Sequence, residues 1–204
     1  MEHKKYFLSE ISEIKKIEKN IEEMVFMARE TPEQVFKQPY EFYLFNHWDW
    51  MMSKEGWESL QHLLKSSNDE AAVVAVLNPH PFEDHFKKYK HSNWARIPAY
   101  FTSEQYKDIV NYGPDEDEIE SICQYSRSVI WVSPSQDWII YGDWEWEICI
   151  FACRSSQLAD SMKLKDWITV EDTLLKDWLS MVIINNKVSK RIWSEFQNNY
   201  KWNI

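Results

Sequence analysis

The clearest alternation of apolar and polar positions lies between Ser133 and Phe151 and predicts a β-hairpin. Residues 137–141 form one arm and 144–151 the other. Gly142-Asp143 is the two-residue connection, with glycine supplying the positive φ of a tight turn. In the second arm Trp144, Trp146, Ile148 and Ile150 fall on one face, and Glu145, Glu147 and Cys149 on the other. Residues 128–132 read as a strand that feeds the hairpin, so the three arms form an antiparallel meander. The continuous apolar run from Ala71 to Leu77 predicts a buried strand. Residues 96–101 read as irregular or a short edge strand, because Pro98 lacks a ladder donor. The aromatic stretch 39–52 fits both the strand and the helix period.

Helical spacing accounts for much of the remainder. Residues 9–29 carry Ile14, Ile17, Ile21, Met24 and Ala28 at 3-4-3-4 spacing, behind Ser9 as N-cap. That seam either lies on its own domain or joins two copies of the chain as a homodimer. Thr31-Pro32 ends it and opens a short helix through Lys37. Ser53 caps a helix to Leu64 with Trp57, Leu60 and Leu64 in one stripe. His80-Pro81 opens a short helix bearing Phe82, His85, Phe86 and Tyr89. Ser103 caps a helix to Tyr112 that Gly113-Pro114 stops, and 115–123 is the next helix. Thr169 to Asp172 reads as a capping box ahead of a stripe of Leu174, Leu175, Trp178 and Val182. Ser189 to Tyr200 closes the chain with Ile192, Trp193, Phe196 and Tyr200, as the second member of an antiparallel pair.

These elements predict one α+β domain over 1–204. Its small antiparallel sheet has three to four strands, with helices packed on one face. The N-terminal helical segment covers about 9–66, the sheet-containing core about 70–153 and the C-terminal helix pair about 169–201.

Composition narrows the function classes. The chain has only 3 Gly, so neither a dinucleotide-binding GxGxxG nor a phosphate-cradling P-loop can be written from Gly56, Gly113 and Gly142. A formal net charge of −10, with no cluster of Lys and Arg against it, disfavours nucleic acid as partner. Aromatic residues reach 16%, with 12 Trp, and would dominate core energetics. The three cysteines, Cys123, Cys149 and Cys153, make no CxxC; on one strand face Cys149 and Cys153 would stand ~13 Å apart, beyond disulfide reach. Residues 1–7 lack the apolar core and cleavage site of a secretory signal, and no apolar run reaches the ~20 residues of a membrane span. A reducing cytosol is the expected compartment.

No catalytic motif stands out. His80, His85 and His91 with Glu83 or Asp84 match no metal-ligand spacing, so neither metal nor other cofactor is expected. No GxSxG elbow occurs, and the cysteines read as small buried hydrophobes. Asp49 with the hairpin acids is a candidate carboxylate pair for acid–base work. The run Asp115, Glu116, Asp117, Glu118, with Glu120, suits the first turn of a helix, where acids complement the dipole, but exceeds that need. Together with Glu145 and Glu147 it is a candidate surface for a basic protein.

In acidity, in its helices around a small antiparallel sheet and in lacking a catalytic signature, the chain resembles small bacterial immunity proteins at the level of architecture. That resemblance implies neutralisation or regulation of a basic partner. The leading expectation is a non-enzymatic binding protein of this kind. One alternative is a carbohydrate or small-molecule binder using an aromatic cleft of Tyr43, His47, Trp48, Trp50 and Trp144. Another is a hydrolase using Asp or Glu with a His.

Overall fold

The computed structural model describes residues 3–80, 82, 85–114, 118–183 and 187–202. Its centre is one antiparallel sheet of six strands: β1 (Phe42–His47), β2 (Ala71–Asn78), β3 (Trp94–Pro98), β4 (Ser128–Val132), β5 (Trp138–Asp143) and β6 (Ile148–Cys153). The spatial order is β1-β6-β5-β4-β2-β3. The expected meander, β4-β5-β6, occupies the middle. The sheet exceeds the expected three to four strands because β1, from the stretch of ambiguous period, pairs outside β6, while β2 and β3 extend the other side. The ambiguity of 39–52 has a structural cause: β1 passes directly into α2 (Trp48–Met51), so both periods are present.

Helices cover both faces of the sheet, not one. One face carries Leu44, Val74, Trp131, Ile140 and Phe151, which lie opposite one another across the ladders. Against it pack α2, α3 (Lys54–Ser67), α5 (Ser103–Val110) and α7 (Ser156–Lys163). The opposite face presents Tyr43, Phe45, Val73, Val132 and Tyr141. It is covered by α1 (Ile11–Met24), α9 (Lys190–Tyr200) and the arm 25–40, whose Phe36 meets Tyr43, Tyr141 and Tyr200. Burial from both sides leaves every residue of β4, β5 and β6 buried, so the alternation expected of the second hairpin arm marks no wet face. The shorter helices α4 (His85–Tyr89) and α6 (Ile122–Tyr125) lie in connections, and α8 (Thr173–Met181) precedes α9.

The tryptophans tie these layers together. Trp131 Nε1 donates to Tyr106 Oη (3.0 Å), which donates to Met51 O (2.7 Å), a relay from sheet to α5 to α2. Trp138 reaches Ser67 of α3, Trp167 reaches Ser59 of α3, and Trp57 of α3 reaches Phe101 O. Trp94 crosses to Val76 O, and Trp202 donates to Tyr43 O. The edge strands are also engaged: Phe45 exchanges both backbone bonds with Ile168, and Phe7 bridges Ala95.

Helix starts differ from expectation by small offsets with clear causes. Thr102, not Ser103, caps α5, in a reciprocal capping box with Gln105. Asp172, not Thr169, caps α8 by accepting from Leu174 N, which leaves Leu174 exposed and Leu175 and Leu179 buried. Glu10 rather than Ser9 precedes α1, which ends at Met24 and not near 29 because Val25 turns extended and bridges Phe36, and among the described residues the short helix expected from Pro32 through Lys37 is absent. Helix α7, which buries Ala159 and Met162, falls outside the elements the sequence predicts. Of the expected helix 115–123, residues 115–117 lie outside the described residues; a 3-10 turn at Glu118–Glu120 and the separate α6 follow.

The hairpin itself is displaced. Gly142 and Asp143 end β5, and the connection is Trp144 to Glu147. Glu147 takes the positive φ (52°), while Gly142 does not. The glycine is required by packing: a Cβ there would stand 2.7 Å from Trp48 Cζ3 and 2.9 Å from Trp131 Cζ3. Gly142→Ala is therefore expected to destabilise the protein by about 1–3 kcal/mol, the usual cost of overpacking a tight core. Urea denaturation measures this, and an unchanged midpoint would show that the two indoles can move apart.

Candidate functional site

The displaced turn changes the relation between its side chains. On a strand, Trp144 and Trp146 would share a face away from Glu145 and Glu147. In the turn all four belong to one tip. Asp143, 4% exposed, organises it: Oδ1 accepts from Glu145 N (3.0 Å) and Trp146 N (3.2 Å), and Oδ2 from Thr31 Oγ1 (2.5 Å). Trp146 Nε1 returns a bond to Thr31 O (3.0 Å), and its ring meets Phe196 of α9 edge-on. The tip is thus fastened to the 25–40 arm and to α9.

Three side chains of this fixed tip face solvent. Trp144 is 51% exposed, while its backbone N–H is held by Arg127 O (2.9 Å). Glu145 lies 3.8 Å from Arg127 Nη1, and Glu147 lies 3.9 Å from His47 Nε2, both pairs largely in water. His47 in turn sets its ring against Trp178 of α8. Such exposed pairs contribute only ~0–1 kcal/mol, so both carboxylates stay available to another partner.

Other sequence candidates are placed as follows. Tyr43 and Trp48 are buried on opposite faces of the sheet, and Trp50 is half-buried with its ring against Trp167. Tyr43, His47, Trp48, Trp50 and Trp144 therefore do not form one open cleft; the strand period sends neighbouring rings to different layers. Asp115, Glu116 and Asp117 lie outside the described residues, as does the side chain of Glu118. Glu120 is half-buried and pairs with Lys88 (3.2 Å). Asp49 is exposed on α2, with no ion pair or hydrogen bond to Glu145 or Glu147 among the described residues.

His80 pairs with Glu18 (2.7 Å), and buried His85 shares Nδ1 with His91 O (3.3 Å); Glu83 and Asp84 lie outside the described residues. Among the described residues no group of three or more His, Cys, Asp or Glu is placed to hold a metal ion. Burial pushes the Cys153 thiol up to about 12 and Cys149 well above its ordinary value, which keeps both protonated and poorly nucleophilic. His62 Nε2 lies 2.9 Å from Ser161 Oγ, but that hydroxyl donates to Leu158 O (2.7 Å). The imidazole is then the donor, so this pair holds no base aimed at a hydroxyl proton.

Sequence reasoning missed Thr31, and assigned Asp143 to the wrong part of the turn. An aspartate at the start of a turn, able to accept from the amide two residues on, was the available signal. No protein-family model, no curated protein and no solved structure matches the chain.

Burial raises the Asp143 carboxyl above its ordinary range, opposed by its bonds from Thr31, Trp146 and Glu145. The folded state then holds a proton that the unfolded chain has released. Stability is therefore expected to fall as pH rises from the unfolded carboxylate range through the folded value. Asp143→Asn, which keeps the Oδ1 acceptor, should flatten that decline. Asp143→Ala, which orphans two amides, should cost about 2–4 kcal/mol. Urea midpoints between about pH 4 and pH 7 test both, the window set by the carboxylate range. An unchanged pH slope in Asp143→Asn would exclude this carboxyl as its source.

Proposed function

We propose that this is a non-enzymatic binding protein that engages a basic protein partner through the tip Trp144-Glu145-Trp146-Glu147. One observation carries the reading: a chain that buries most of its large aromatic side chains leaves Trp144 half in solvent, on a turn immobilised from beneath and flanked by two exposed carboxylates. Aromatic anchors carry a large share of binding energy at protein interfaces, and a rigid anchor loses little entropy on docking. The net charge of −10 supplies a field that steers a cationic partner toward the surface.

The indole face accepts an arginine or lysine head by cation–π attraction, and Glu145 and Glu147 stand beside it for charge-assisted bonds. The acids 115–118 and Glu120 belong to the same proposed recognition by charge, as a contribution to the long-range field. Covering a basic surface in this way would neutralise or regulate the partner, as in the immunity-like reading, and a reducing cytosol is its proposed setting.

The immobilised protein is expected to recover a basic protein from extracts of its native host at low salt and to lose it at high salt. Trp144→Ala should weaken the purified complex by about 2 kcal/mol, close to thirtyfold in Kd. Glu145→Gln with Glu147→Gln should chiefly slow association and flatten its salt dependence. Surface plasmon resonance reads both effects. Recovery of no basic protein, or a Kd indifferent to Trp144→Ala, would remove this reading.

A further inference from the structure

A second candidate site lies at the open end of the β5–β6 hairpin, opposite its tip. A cleft of about 540 Å³ opens between α3 and α7, where β5 begins and β6 ends. Its wall includes His62 and Ser66 of α3, Asp137 just before β5, Arg154 just after β6, and Ser155 and Gln157 at the start of α7. That volume suits a small metabolite.

The lining carries one cation, Arg154, against one carboxylate, Asp137. Arg154 is held in place, with Nη2 donating to Gln38 Oε1 (3.1 Å) and its guanidinium over the Tyr40 ring at 5.4 Å. Part of its fork of donors remains for a ligand. Lys65 and Lys165 stand near enough to His62 to add to burial in lowering its proton affinity. The imidazole Nε2 is already engaged with Ser161 Oγ (2.9 Å). The leading amides of α7, Ser156 and Gln157, precede the first intrahelical bond, from Ala159 N to Ser155 O.

Acceptors line the same cleft. The Ser66 hydroxyl spends its proton on His62 O (2.9 Å), leaving oxygen lone pairs outward. Asp137 makes no ion pair among the described residues. A free inorganic anion would gain nothing from that carboxylate and would be repelled by it. A ligand bearing both an oxyanion and hydroxyl groups can use Arg154 and Asp137 together.

We propose that this cleft binds a small hydroxylated phosphate ester, a sugar or polyol phosphate. Arg154 takes the phosphate, with Lys65 and Lys165 supplying the field, and Asp137 accepts from a ligand hydroxyl. Isothermal titration of glucose 6-phosphate, inorganic phosphate and glucose at constant ionic strength tests it. The ester should bind saturably, inorganic phosphate more weakly and glucose not at all. Arg154→Gln should weaken the ester at least about tenfold, as loss of charge-assisted bonds implies. The substitution Lys165→Gln, at a half-buried residue outside the cleft lining, should weaken it less, with a native melting curve as the control for folding. Asp137→Asn should tighten inorganic phosphate while narrowing its gap from the ester. The proposal is overturned if the ester gives no saturable heat, if inorganic phosphate or glucose binds as tightly as the ester, or if folded Arg154→Gln and Lys165→Gln bind it unchanged. None of these results bears on Trp144, so the hairpin-tip reading stands or falls separately.

Discussion

Burying an indole is costly unless its N–H finds an acceptor, and this requirement shapes much of the core. Leaving such a donor unpaired in an apolar interior costs on the order of 1–3 kcal/mol, comparable with the gain from much of the ring's burial. Here the acceptors lie mostly on a different element from the ring. Trp131 works through the Tyr106 hydroxyl to the end of α2, Trp138 and Trp167 both reach serines of α3, and Trp57 closes on the carbonyl at the start of α5. Hydrophobic burial is non-directional and would tolerate many arrangements of helices on a sheet. These bonds are directional, and they select one. The scarcity of glycine belongs to the same design: Gly142 is retained where two rings converge on the backbone and no side chain fits.

The same bond links architecture to the hairpin tip. Trp146 is part of the core by its ring and part of the turn by its backbone amide, which Asp143 holds. Asp143 is a costly residue to bury, and its partners are drawn from both sides of the turn. That arrangement fixes the conformation from which Trp144, Glu145 and Glu147 project. A mobile hairpin end with the same composition would present the same groups at a larger entropic cost.

Much of the architecture was legible in the sequence. The strand at 71–78 announced itself as an apolar run, 128–132 as the strand feeding a hairpin and 148–153 by alternation over 144–151, and Ser53 and Ser189 sit at the helix starts their chemistry suggests. What escaped had physical reasons. Gly-Asp matches a tight turn in local chemistry, yet the glycine was selected by two distant rings, information that no window of the sequence contains. Residues 39–52 hold a strand and a helix without a break, which defeats any single period. Coverage on both faces could not be counted from the one face that each helix shows. The candidate site was less legible than the fold: strand alternation assigned Trp144 and the two glutamates to opposite faces and to different candidate sites, and only the displaced turn leaves all three exposed at one tip. The cleft beside Arg154 joins residues from α3, from the flanks of two strands and from α7, which sequence distance keeps far apart.

The two rims of the sheet carry a further meaning. On β1 the outward amide and carbonyl of Phe45 are taken by Ile168, and the carbonyl of Tyr43 by Trp202. On β3, Leu8 donates to the carbonyl of Trp94 beside the Phe7–Ala95 bridge. A flat rim of free peptide groups is a template on which a foreign strand can grow, whether from a partner or from another copy in an aggregate. With the Tyr43 and Phe45 groups taken on one rim and the Trp94 carbonyl on the other, a visiting strand meets an interrupted ladder at both, which works against strand addition there.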